Sequence, residues 1–199
     1  MADTGSTILT PGAGLRGAAW LAFALLVVIM LASAFIRLAQ GDATLEGTVE
    51  IARGIHRAAA TIAFIVIAAV AVFGWDELHP VAASRVVLAA QLGLAIALAF
   101  LGRVTPSEHP VVAFGNPLGG LAMIGLAWWL VLAASPSAAK RPHRALVGSA
   151  LVVIAHATVA AIVVWTPALE VGLGAQLAAT ALVVAGAMLL YRRDDQCRS

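Results

Sequence analysis

The 199-residue chain is 62% hydrophobic and only 11% charged, with a net charge of +2, whereas a soluble domain carries about 25% charged residues. That balance excludes an ordinary soluble domain, and basic residues this scattered exclude a nucleic-acid surface. The single cysteine, Cys197, excludes an intramolecular disulfide.

The N-terminal MADTGSTILTPGAG is polar and lacks a basic n-region. The apolar run that follows is too long for a signal h-region and carries no cleavage site, so it is expected to remain as a first helix. Six stretches contain no Asp, Glu, Lys or Arg: 17–36, 58–75, 86–102, 111–139, 145–169 and 171–191. A bilayer core needs about 20 apolar residues in a helix. In hydrocarbon every backbone group must pair within its own segment, so these runs predict helices. The expected fold is an all-α integral membrane protein, one bundle of six transmembrane helices near 15–39, 47–75, 83–102, 110–135, 143–166 and 168–191. The linkers are short, so consecutive helices pack as antiparallel neighbours.

Loop charge sets the orientation. With six spans, one side holds Arg16, Arg85, Lys140, Arg141, Arg144, Arg192, Arg193 and Arg198. The other holds Arg37, Arg53, Arg57 and Arg103. Eight against four puts both termini in the cytoplasm. Topology preference should deplete the four on the outer side, so another interaction is expected to keep them there. A faint repeat relates 85–106 to 144–167, with Gln91 opposite His156.

Ionisable residues inside spans are costly and mark function by default. His56 falls in the second helix, roughly 9 Å below Glu50, and His156 in the fifth, about 13 Å below Trp165. Both imidazoles are therefore expected in the outer half of the membrane at similar depth. Two neutral imidazoles in apolar surroundings suit the axial positions of haem b. Its anionic propionates would find bidentate partners in Arg37, Arg53, Arg57 and Arg103. The plainer readings are an interfacial His56 bonded to a carbonyl and a His156 bonded across helices. In the fourth segment, FGNPLGG (114–120) offers glycines either for close helix packing or for a flat surface against a porphyrin face, with Pro117 expected to kink the helix. No GxSxG, P-loop or HExxH is present, and the acidic residues are read as lying in loops and tails.

The segments SAFIRLAQGD, Gly54–Ile55–His56–Arg57 and LGRVTPSEHPVVAFGNPLGGLAM, in this order and spacing, resemble the heme A synthase family of cytochrome oxidase assembly proteins, in particular its bacterial members. The resemblance covers about residues 20–165. It implies a helical bundle in the bacterial cytoplasmic membrane that binds haem b. It also implies oxidation of the C8 methyl group of haem O to the formyl group of haem A, for use by terminal oxidases. His56 matches the family's helix-two haem ligand, Arg37 the arginine after helix one, and Arg57 the arginine of the His-Arg pair.

The chain departs from the family pattern at four places. Arg53 stands where many members carry a glutamate, no histidine lies between Phe114 and Leu118, GDATLEGTVE replaces a cysteine-containing loop, and six spans replace eight. Two readings follow, a heme A synthase-like protein and a haem b electron-transfer or anchor subunit of a respiratory complex. The second would draw electrons from a quinol and lack hydroxylase activity. Both place the chain in the lipid bilayer beside oxidase or other respiratory-chain subunits.

Overall fold

The computed structural model describes residues 12–39, 42–78, 84–102 and 110–135, with backbone only at 110–114, 117 and 118. Among these residues the structure is helical throughout: α1 (Ala13–Ala39), a 3-10 turn (Ala43–Leu45), α2 (Glu46–Phe73), α3 (Ser84–Leu101) and α4 (Pro110–Ala133). Each helix lies within two residues of its expected bounds. Three of them, α1, α2 with its leading turn, and α3, are long and apolar enough to cross a membrane. The chain therefore suits a lipid bilayer. The expected fifth and sixth helices lie outside the described residues. The helix α4 runs unbroken through Pro117.

The turn between α1 and α2 is built by Asp42. Its carboxylate accepts from the Thr44 hydroxyl at 2.6 Å and the Thr44 backbone N–H at 2.9 Å. These bonds hold the Asp42 carboxyl below its ordinary pKa, the side-chain bond contributing most. A depressed carboxylate pKa stabilises the fold at neutral pH, and that help is lost as pH falls through the acid range. The turn feeds directly into α2 at Glu46, and an acidic residue in a first turn suits the helix dipole. Glu46 and Glu50 thus lie on a helix, which corrects the expectation that all acidic residues occupy loops and tails.

Neighbouring helices are antiparallel, as three pairs of contacts show. His56 meets Ile29 and Gly74 meets Leu15 between α2 and α1. Gly120 meets Met30, and Trp128 meets Trp20 and Phe23, between α4 and α1. Gly119 meets Leu98 and Gly115 meets Leu101 between α4 and α3. The four helices form a ring, with α2 diagonal to α4.

At the end where α2 leads towards α3, packing is tight. Trp128 has no exposed surface. Its ring stands edge-on to Trp20 at 5.8 Å and tilted to Phe23 at 5.4 Å. Glu77 accepts from the Gly12 N–H at 2.8 Å, close to the start of α1. Arg85 donates to the Trp75 carbonyl and to Asp76, both at 3.1 Å, and lies 5.2 Å from the Trp75 ring centre.

Gly74 closes α2 against α1. A Cβ there would stand 2.7 Å from Leu15 Cδ1 and 2.9 Å from the Val70 carbonyl oxygen. Leu15 Cδ1 is the end of a side chain packed in the core, and the Val70 oxygen is backbone of the helix itself. Gly74→Ala is expected to destabilise the protein by about 1–3 kcal/mol, as overpacking does. Thermal unfolding in detergent, followed by circular dichroism, measures it.

Candidate functional site

The opposite end of the ring is hollow. A cavity of about 670 Å³ lies among all four helices, within the ~300–1,000 Å³ typical of ligand and cofactor pockets. Part of its wall is built of small residues. Ala60 and Ala63 on α2, Ala95 and Ala99 on α3, and Gly120 on α4 line it where bulkier side chains would close it.

His56 lines this cavity. Its Nδ1 lies 3.3 Å from the backbone oxygen of Ile29 on α1. A carbonyl oxygen only accepts, so Nδ1 carries the proton and donates. In the neutral ring this bond selects the tautomer whose lone pair is on Nε2, the form in which histidine binds a metal. The bond also pins the imidazole to a neighbouring helix, so the ring is held in place before any ligand arrives.

The contacts around His56 set a common level. Ile29 bonds to His56, its neighbour Met30 touches Gly120, and the adjoining Gly119 touches Leu98. Residues from all four helices therefore meet in one layer. A Cβ at Gly119 would stand 2.5 Å from Leu98 Cδ2, and one at Gly120 would stand 2.5 Å from Met30 Sδ. The two readings of FGNPLGG are thus compatible, because the glycines admit close neighbours while Gly120 and Asn116 also line the cavity.

From this layer the cavity changes character along its axis. Towards the α1–α2 turn it is lined by Ser33, Gly102 and Asn116, with Arg57 at the layer itself beside His56. In the other direction it is lined by Thr61 and by the apolar Leu26, Ala63, Phe64, Ile67 and Met123. The cavity is amphipathic, with its polar end at the turn. Among the described residues no carboxylate lines it.

The arginines expected here have three different fates. Arg57 lines the cavity. Arg37, half-buried, folds back along α1 so that Nε donates to the Ser33 carbonyl at 3.4 Å, and Ser33 is itself a lining residue. Arg53 is spent on Glu50, three residues away on the same exposed face, and does not line the cavity. Neither Arg37 nor Arg57 has a carboxylate partner among the described residues. Two uncompensated guanidinium groups thus stand at the polar end. Arg103 and His156 lie outside the described residues, although Gly102, next to Arg103, is on the cavity wall.

Inspection of the sequence alone missed Ser33, Thr61 and Met123 as lining residues. Serine and threonine carry no such signal in apolar helices, where their hydroxyls bond back to the preceding turn, as Thr61 does to the Arg57 carbonyl at 2.9 Å. Among the described residues no three of His, Cys, Asp and Glu come together as a metal cage. A haem asks less of a protein, because its macrocycle supplies four nitrogens and only axial ligands are needed.

Comparison of the chain with protein-family models, with curated proteins and with solved structures finds no match.

Proposed function

We propose that this chain is a heme A synthase-like membrane protein that binds haem b in the cavity beside His56. One observation carries the reading. The three segments that carry the resemblance each contribute to a single cavity: Ser33 of SAFIRLAQGD, the His56–Arg57 pair, and Gly102, Asn116 and Gly120 of LGRVTPSEHPVVAFGNPLGGLAM. His56, its neutral tautomer selected by Ile29, would present Nε2 to the iron. Arg57 and Arg37 would pair the propionates at the polar end, and the apolar end would exclude water from the macrocycle. When bound, haem b supplies one-electron chemistry at its iron. His156 is the proposed second axial ligand.

The full protein is proposed to be a six-helix bundle with both termini in the cytoplasm of a bacterium and the cavity's polar end towards the outer face. The excess of Lys and Arg at the other end supports that orientation. Haem O and oxidase subunits are the proposed partners.

A specific observation also favours the second reading, a haem b electron-transfer or anchor subunit that takes electrons from a quinol. Arg53 replaces the glutamate of many heme A synthases, and among the described residues no acidic side chain lines the cavity. Hydroxylation of a substrate methyl group would then lack a nearby carboxylate to take up the protons it releases.

Two measurements test the readings. Protein expressed with haem supply and purified in detergent is expected to show a reduced b-type α-band and a pyridine haemochrome. A folded, haem-free preparation would sink both. Incubation with haem O under reducing, aerated conditions, followed by chromatography, separates them, since haem A forms only under the first.

A further inference from the structure

Some residues that line the cavity are also open to the outside, and they gather on one seam. Helix α2 faces the cavity with two adjacent stripes. The inner stripe, Ala60, Ala63 and Ile67 below His56, turns away from the surroundings. The second, Arg57, Thr61 and Phe64, is exposed, Phe64 by 41%. Across from it α3 offers Ala95, Ala99 and Gly102, spaced four and three apart on one face, with Ala99 and Gly102 exposed. Of the neighbouring helix pairs in the ring, α2 and α3 touch least. Thr61 is the sixteenth of the 28 residues of α2, so the gap lies near the helix midpoint and not at its mouth.

We infer that this seam is a lateral portal through which an amphipathic ligand passes between the bilayer and the cavity. The ligand class follows from the walls. An apolar body crosses where Thr61 on α2 comes nearest the level of Ala95 on α3, and an anionic end moves along the exposed stripe to Arg57, close to the level of Ala99. Such a ligand remains in the membrane throughout and never needs to enter water, which would penalise its apolar surface at about 25 cal/mol per Å². The portal rests on the reading of the cavity as a haem site, and its test uses haem b as the probe.

Haem b loaded into lipid vesicles is mixed with protein reconstituted in vesicles, and uptake is followed by the growth of the Soret band. Ala99→Trp fills the seam from an exposed position, and Val72→Trp adds the same ring to an exposed α2 residue that does not line the cavity. Ala99→Trp is expected to slow uptake about tenfold, as restricted access lowers an association rate, while Val72→Trp matches the unmodified protein. Phe64→Ala opens the seam and is expected to speed both uptake and release. Unchanged rates in Ala99→Trp and Phe64→Ala, with haem still bound, overturn the portal. Absence of haem binding in the unmodified protein instead overturns the haem reading on which it rests.

Discussion

Protein carrying His56→Ala, purified with haem supplied, is expected to lack the b-type absorption spectrum while keeping its helical content. The imidazole is half-buried and makes one hydrogen bond to a neighbouring helix. Losing that bond costs about 1 kcal/mol, far short of unfolding a bundle whose α1–α4 and α3–α4 contacts are untouched. The other proposed ligand, His156, is not expected to retain haem alone, since His56 is the imidazole that Ile29 holds in place on the cavity wall. The arginines provide graded controls. Arg57→Gln removes a charge from the cavity wall and should weaken haem retention by about 1.5–3 kcal/mol, the range for a bond to a charged group. Arg37→Gln should act in the same direction and less strongly, since its guanidinium reaches only as far as Ser33. Arg53→Gln breaks a largely exposed pair worth about 0–1 kcal/mol and should leave the spectrum unchanged. His156→Ala is expected to convert a low-spin spectrum to high-spin with haem still bound. Full loss of haem in Arg53→Gln, or full retention in His56→Ala, would contradict the assignment.

The different fates of the arginines show where the sequence was legible. Apolar length decides the spans, so helix bounds could be read closely. An ionisable residue in such a span stands out, which is why His56 was singled out, and it lines the cavity. The pairing of Arg53 was overlooked although the expected helix, 47–75, already held both partners. Glu50 and Arg53 are neighbours three apart on one face. Such a local pair competes with any ligand for the guanidinium. The cavity was not legible at all. Alanines on α2 and α3 and a glycine on α4 line it, and an alanine in an apolar helix looks the same whether it faces lipid, a neighbour or a void. FGNPLGG showed the same limit. Small residues announce close approach, but only the partner helices decide that Gly119 receives Leu98 while Asn116 faces the cavity.

Trp128→Ala is expected to destabilise the protein by about 3–5 kcal/mol, the range for deleting a fully buried aromatic ring. The ring fills the solid end of the bundle and holds α4 to α1 through Trp20 and Phe23. Among the described residues its indole N–H has no hydrogen-bond partner, so there the side chain acts by volume and not by polar bonding. Trp128→Phe keeps most of the aromatic contact and removes a buried donor that is itself unfavourable by about 1–3 kcal/mol. It should therefore cost far less than alanine, and thermal unfolding of the pair measures the difference. The haem spectrum of Trp128→Ala, recorded well below its unfolding temperature, then tests the division of labour along the bundle. Trp128 lies two turns of α4 beyond Gly120, on the tight side of the layer that contains His56. If the two ends act independently, the variant unfolds earlier but binds haem with an unchanged spectrum. A spectrum altered as strongly as in His56→Ala would mean that the solid end sets the geometry of the hollow one, and that the ring of four helices moves as a single body.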